Sequence, residues 1–61
     1  MYIKYSSYYV DDNNDLHIFI TDLNNDEYKL ATISDCAGMT TKQIDKLVDE
    51  ILEDKGIRDD E

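Results

Sequence analysis

The 61-residue sequence has no proline and no tryptophan, and its glycines are limited to Gly38 and Gly56. Two isolated glycines cannot form the glycine-rich loop that cradles a phosphate in nucleotide-binding enzymes. No apolar segment approaches the roughly 20 residues that a membrane-spanning helix needs. The first residues also lack the basic stretch and apolar run of a secretory signal. These absences predict a soluble protein.

Cysteine and histidine occur once each, as Cys36 and His17. A single cysteine excludes an internal disulfide, and the two residues cannot supply the ligands of a zinc site. Cys36 has no neighbouring lysine or arginine to activate its thiol, and a chain this short scarcely encloses a cleft in which His17 could act as a general base. We therefore expect both residues to be structural and the protein not to be an enzyme, with no catalytic residue, metal or cofactor. The unpaired thiol favours the reducing cytoplasm.

Basic residues are scarce, because six lysines and arginines stand against fifteen aspartates and glutamates, for a net charge of −9. Proteins that bind nucleic acid directly gain affinity from lysine and arginine neutralising phosphate, so the composition argues against nucleic acid and against anionic membranes as ligands. A negative field instead speeds encounter with basic proteins. The predicted partner is a protein with a basic surface.

The first half of the chain has the pattern of β-strands. Residues 2–10 are rich in aromatic and β-branched side chains. Residues 16–22 place Leu16, Ile18 and Ile20 on one face and His17, Phe19 and Thr21 on the other, so this strand is apolar on both sides in its middle, and residues 28–33 resume the alternation. The intervening segments, residues 11–15 and 24–26, carry asparagines and aspartates that tolerate the backbone of a tight hairpin. The pattern predicts a three-stranded antiparallel meander.

The second half has the period of a helix. Thr40 and Gln43 fit a capping box, and Gly56 occupies the usual position after a helix end, which predicts a helix over about residues 41–55. A continuous apolar stripe runs along it, formed by Ile44, Leu47, Val48, Ile51 and Leu52.

An apolar helical stripe needs a surface to cover, and one face of the sheet is the available surface. We therefore predict a single α+β domain of βββα order over residues 1–57, with the helix on one sheet face and a frayed acidic tail at residues 58–61. The other face stays open and would hold some of the aromatic residues, which are the tyrosines and Phe19. Either this face is a contact surface or its tyrosines simply rim the core with their hydroxyls in water. The aromatic candidates are Tyr2, Tyr5, Tyr8, Tyr9 and Tyr28.

A small core is often supplemented by self-association. Homodimerisation through the open sheet face or an open strand edge is therefore an alternative to a monomer.

The pattern Asp-x-Asn-x-Asp occurs twice, at residues 11–15 and 22–26. It begins a calcium-binding loop, but neither copy has the glycine at the sixth position or the glutamate at the twelfth that complete one. Hairpin turns are the favoured interpretation of both copies.

Three carboxylates, Asp45, Asp49 and Glu53, follow one another at four-residue intervals on the predicted helix, about 6 Å apart. Like charges at this spacing weaken a helix by a few tenths of a kcal/mol per pair, so stability alone would favour lysine in the row. The spacing is close to that between successive phosphates on a nucleic-acid strand. The predicted partner-binding residues are this row, its neighbours and the hairpin acids: Asp45, Asp49, Glu50, Glu53, Asp54, Asp11, Asp12, Asp15, Asp22, Asp26 and Glu27.

In size, acidity and lack of catalytic groups, the chain resembles the small inhibitors that phages and mobile elements make against host nucleases, repair enzymes, restriction systems and CRISPR effectors. This resemblance implies that the carboxylates occupy a basic nucleic-acid-binding groove in place of phosphates. No motif identifies a family. Two other interpretations stay open: a solvated acidic face softened by Lys42 and Lys46, and an interaction module that self-associates through its tyrosine-rich face or open strand edge.

Overall fold

The structure, a computed structural model, describes residues 1–59 and confirms the βββα fold. Strand β1 (Tyr2–Val10) pairs antiparallel with β2 (Leu16–Asp22), and β2 pairs antiparallel with β3 (Glu27–Ile33). Helix α1 (Thr41–Asp54) follows the sheet. The strands are therefore neighbours in sequence order, as the short hairpin segments predict.

A short fourth strand, β4 (Arg58–Asp59), extends the sheet to the order β3-β2-β1-β4. It pairs in parallel with Tyr2 and Ile3, and the Arg58 N–H donates to the Met1 carbonyl at 2.8 Å. The first two residues of the segment predicted as a frayed tail are thus part of the sheet. The other two, residues 60 and 61, lie outside the described residues.

Helix α1 begins and ends with the caps that the sequence predicts. The Gln43 N–H donates to Thr40 Oγ1 at 3.2 Å, and the Thr40 N–H donates to Gln43 Oε1 at 2.9 Å, which completes the capping box. Gly56 follows the helix with a φ of 71°, in the left-handed region that glycine adopts without strain. The Ile57 N–H then donates to the Leu52 carbonyl at 2.8 Å, and this turns the buried Ile57 side chain back onto the core.

The core lies between α1 and one face of the sheet. Ile44, Val48 and Leu52 of the helix pack with the inward face of β2. The buried apolar residues are Ile3, Leu16, Ile18, Ile20, Cys36, Ile44, Val48, Leu52 and Ile57. Cys36 enters this core from the loop before the helix, where its N–H donates to the Asn14 carbonyl at 2.8 Å.

A β-bulge at Lys4 changes which β1 side chains face the core. Tyr5 lies opposite Thr21 and Ile3 lies opposite Asp22, so Lys4 has no partner of its own in β2. Strict alternation would place Ile3 on the same face as Tyr5. Because the bulge shifts the alternation by one residue, Ile3 is instead fully buried in the core.

The two Asp-x-Asn-x-Asp segments form the hairpin turns that the sequence predicts, with the same hydrogen bonds in each. Asp11 Oδ1 accepts from the N–H groups of Asn13 and Asp15 at 2.9 and 3.0 Å, and Asp22 Oδ1 accepts from the equivalent N–H groups of its turn at 2.8 and 3.0 Å. The fourth residue of each turn, Asn14 or Asn25, adopts a left-handed φ of 62° or 67°. The carboxylate that opens each motif is therefore part of the turn itself.

Asp11 also joins its turn to the sheet, because its Oδ2 lies 2.7 Å from His17 Nε2. The hydrogen bond with His17 is the main reason that the pKa of Asp11 is below its ordinary value, and the bonds from the Asp15 and Asn13 backbone lower this pKa further.

Replacing Thr40 by alanine should lower the free energy of unfolding by about 1 kcal/mol, since the first turn of α1 loses an N-terminal hydrogen bond. Urea titration followed by circular dichroism measures the loss. Thr41→Ala is the matched control, because this exposed residue lies inside the helix. An equal decrease in the free energy of unfolding in the two variants would contradict the stabilising role of the Thr40 cap.

The lowered pKa of Asp11 predicts that the free energy of unfolding falls with acidification. A carboxylate with a lowered folded-state pKa stabilises above its unfolded pKa, and this contribution is lost as the pH falls through the folded pKa. Asp11→Asn keeps an oxygen for the two turn N–H groups but has no charge. We expect its unfolding free energy to vary less between about pH 5 and pH 2 than that of the parent chain. Asp12→Asn, at the exposed neighbouring position, is the matched control for the loss of one carboxylate, and an equal flattening of the pH profile by both variants would contradict the role of Asp11.

Candidate functional site

The carboxylate row lies along the flank of α1 that adjoins β1, instead of on the outer face of the helix. Residues four apart on a helix are displaced by about 40° around its axis. A row at this spacing therefore rotates gradually around the helix along its length. Asp45, Asp49 and Glu53 are all exposed. They form one wall of a groove between the helix and the sheet, which we call the acidic groove.

The acidic groove has two adjoining parts. The part nearer the helix start encloses about 540 Å³ and is lined by Ser6, Ser7, Tyr8, Asp45, Val48 and Asp49. The part nearer the helix end encloses about 270 Å³ and is lined by Asp49, Leu52, Glu53, Gly56, Ile57 and Arg58. Asp49 borders both parts. The groove therefore has an apolar floor, a carboxylate wall on α1, and β1 and β4 on its other side.

Tyr8 joins the two walls of the acidic groove. Its hydroxyl donates to Asp45 Oδ1 at 2.6 Å, and this bond to Asp45 is the main cause of a raised pKa at Tyr8, which burial and the charge of Asp45 raise further. The sequence pattern predicted Tyr8 as a residue of the aromatic interface. Because its register partner is Ile18, on the covered face of β2, Tyr8 belongs to the acidic groove.

No lysine or arginine forms an ion pair with a carboxylate among the side chains that the structure describes; the carboxylate contact at that distance is between Asp11 Oδ2 and the His17 imidazole, at 2.7 Å. Lys42 and Lys46, which soften the acidic face in the alternative interpretation, are exposed on α1 without such a contact. The exposed carboxylates of the groove thus form no ion pair with a lysine or arginine among the described side chains.

Glu50 and Asp54 lie on the opposite flank of the helix. They border a separate groove of about 480 Å³ beside β3, whose other lining residues are Ala31, Ile33, Leu47, Ile51 and Lys55. The five helical carboxylates that were predicted to bind a partner together therefore lie on two different flanks of α1.

The hairpin acids lie at the two ends of the sheet, because consecutive turns of a meander are on opposite ends of its strands. Asp11 and Asp22 are engaged by their own turns and are half-buried, as is Asp15. The exposed acids are Asp12 at the first turn and Asp26 and Glu27 at the second. At the second turn, the charges of Asp22 and Asp26 raise the pKa of Tyr28. The carboxylate row on α1 runs between these two acidic ends, since the helix starts beside the first turn and finishes beside β4.

The uncovered face of the sheet carries a stacked aromatic group. The Tyr9 ring stacks on His17 at a centroid distance of 4.8 Å and on Phe19 at 5.7 Å. Tyr5 and Tyr9 are 54% and 52% exposed. Tyr2, next to the inward-facing Ile3, is also exposed. The aromatic candidates on this face are therefore Tyr2, Tyr5 and Tyr9. Tyr8 and Tyr28 do not belong to it, because they lie opposite Ile18 and Ile20 on the covered face of β2.

Sequence reasoning missed the contribution of Ser6 and Ser7 to the acidic groove. These two small residues interrupt the tyrosines of β1, and they border the larger part of the groove opposite Asp45 and Asp49. The sequence signal for this space is the run Tyr-Ser-Ser-Tyr, because Ser6, which lies on the covered face opposite Ile20, is much smaller than the tyrosines of the same strand.

Over residues 1–59, no helix is long and apolar enough to cross a membrane, and no cluster of three or more histidine, cysteine, aspartate or glutamate side chains is arranged to hold a metal. Comparisons with protein-family models, with curated proteins and with solved structures found no match to this chain. A functional assignment therefore depends on the chain's own surface.

Proposed function

We propose that this chain is a binding protein that occupies the basic nucleic-acid-binding surface of another protein, with its carboxylates in place of phosphates. The partner is a nuclease, a repair or restriction enzyme or a CRISPR effector, as for the phage-type inhibitors that the chain resembles. We place this activity in the cytoplasm, where the free thiol of Cys36 would stay reduced.

The observation that carries the proposal is the row of Asp45, Asp49 and Glu53 along the acidic groove, which has Arg58 at one end but no ion pair to a lysine or arginine among the described side chains. Like charges in a row oppose helix stability, and the scarce lysines do not offset them. A guanidinium or ammonium group from a partner would supply the missing countercharge. Charge-assisted hydrogen bonds of this kind are stronger than neutral ones.

The distribution of charge over the whole molecule supports the same proposal. The longest dimension of the described chain is 33 Å, and acidic groups lie at both turns and along the helix between them. An extended negative surface speeds association with a basic partner and gives it a strong dependence on salt.

Charge reversal of Asp49 and Glu53 to lysine should reduce capture of the partner at least about tenfold, because each substitution turns an attraction into a repulsion. Immobilised chain is incubated with host lysate, and the captured nucleic-acid-binding enzyme is quantified by mass spectrometry with and without competing duplex DNA. We expect capture to fall with salt and with DNA.

The matched control is Glu50→Lys with Asp54→Lys, which changes the net charge equally on the other flank of α1. The proposal requires this variant to retain most of the capture. Undiminished capture by the Asp49 and Glu53 variant, or capture that DNA does not displace, would refute it.

A second candidate function is self-association through the uncovered sheet face, and the stack of Tyr9 on His17 and Phe19 is the observation that favours it. Aromatic side chains at about half exposure are common anchors of protein interfaces.

For this second function, we expect a dimer in sedimentation equilibrium that persists in roughly 1 M salt, because apolar contacts are not screened. Tyr5→Ser with Tyr9→Ser should dissociate it, while Asp49→Lys with Glu53→Lys should not. A monomer at all protein concentrations would remove this candidate.

A further inference from the structure

Most of β1 has one free edge. Strand β4 pairs with Tyr2 and Ile3, and within residues 1–59 no other strand pairs on that side of β1. Beyond the bulge at Lys4, the register with β2 is unbroken from Tyr5 to Val10. Along this regular stretch, which we call the β1 edge, the backbone groups that face away from β2 are available for a further strand.

The β1 edge borders the larger part of the acidic groove. Ser6, Ser7 and Tyr8 of the strand and Asp45 and Asp49 of the helix line this part, which measures about 540 Å³. The side chains of Ser6 and Tyr8 lie on the covered face, whereas Ser7 pairs with Phe19 of the uncovered face and borders the groove through the strand edge. Strand β4 occupies the neighbouring position on the same edge. A partner strand added to the β1 edge alongside Tyr5–Val10 would therefore lie in this space, beside the two carboxylates.

The opposite edge of the sheet, formed by β3, is less suited to an added strand. Its register with β2 shifts between the pairs Ile18–Ala31 and Phe19–Lys29, which leaves Leu30 as a bulge in the middle of the strand. Lys29 lies on the edge itself, and Lys55 lines the adjacent groove. Bulges and lysines are features that protect edge strands from pairing.

We propose that the β1 edge binds an extended basic segment of a partner protein as an added β-strand, with lysine or arginine side chains directed at Asp45 and Asp49. Charge complementarity selects this occupant, because these carboxylates have no basic partner in the described chain. A second copy of the chain would instead bring its own acidic groove to the edge. Alternate side chains of a strand lie on one face, so a segment with a basic residue at every second position fits.

This mode of binding does not require the partner to be a nucleic-acid-binding protein. The carboxylate row could occupy a basic surface without any added strand, and the β1 edge could bind a basic segment from another class of protein. Failure of a basic peptide to bind the β1 edge would therefore not contradict the proposed function, and a partner that does not bind nucleic acid would not contradict binding at the β1 edge.

The test uses the isotopically labelled full chain and a short capped peptide of alternating lysine and threonine. We expect nuclear magnetic resonance shift changes, and slowed amide hydrogen exchange, at residues 5–10 when the peptide is added. Asp45→Asn with Asp49→Asn should weaken binding about tenfold, since it removes two charge pairs from the groove. Asparagine at position 45 can still accept the hydrogen bond that the Tyr8 hydroxyl donates to Asp45, so this contact between α1 and β1 is kept.

Two controls separate an added strand from general attraction to an acidic protein. Glu50→Gln with Asp54→Asn removes the same charge from the other flank and should leave binding within about twofold. A peptide with methyl groups on alternate backbone nitrogens, placed so that the hydrogen-bonding edge is blocked, keeps its charges and should bind much more weakly. Changes confined to residues 27–33, equal weakening by both double variants, no binding, or undiminished binding of the methylated peptide would overturn the proposal.

Discussion

The packing of α1 against one face of the sheet is the interaction on which the rest of this structure depends. One helix and a narrow sheet can bury apolar side chains on one side only, and Ile44, Val48 and Leu52 make that contact with the inward residues of β2. Every other surface follows from this arrangement. The flanks of the helix become grooves, the second sheet face stays uncovered, and the strand edges lie beside carboxylates carried by the helix. A larger domain could have covered these surfaces with further elements.

Local sequence signals predicted the elements, whereas long-range pairing decided the details that matter for binding. The capping box at Thr40 and the apolar stripe of α1 depend on residues within a few turns of one another, so they could be read directly. The bulge at Lys4 and the pairing of β4 with Tyr2 and Ile3 depend on partners far away in the sequence. Alternation alone would have assigned Ile3 to the wrong face. Likewise, helical spacing identified the row of Asp45, Asp49 and Glu53, but its place beside β1 required knowledge of how the helix is rotated on the sheet.

The acidic residues of this chain fall into two physical classes. Asp11 and Asp22 accept backbone hydrogen bonds that hold the hairpin turns, so their charge contributes to the fold. The carboxylates of the acidic groove have no comparable role beyond the bond from Tyr8 to Asp45. Composition could not separate these classes, because both contribute equally to a net charge of −9. The distinction rests on which oxygen atoms already have a donor.

Cys36 is the one cysteine of the chain and its thiol is buried, so its chemical modification can report when the structure opens. The thiol is 4% exposed in the core, and its Sγ donates to the Ile33 carbonyl at 3.6 Å. A reagent in solution reaches a buried group only when the surrounding structure opens transiently. The rate at which a thiol reagent modifies this chain therefore reports the openings, local or global, that expose Cys36, and no engineered label is needed to observe them.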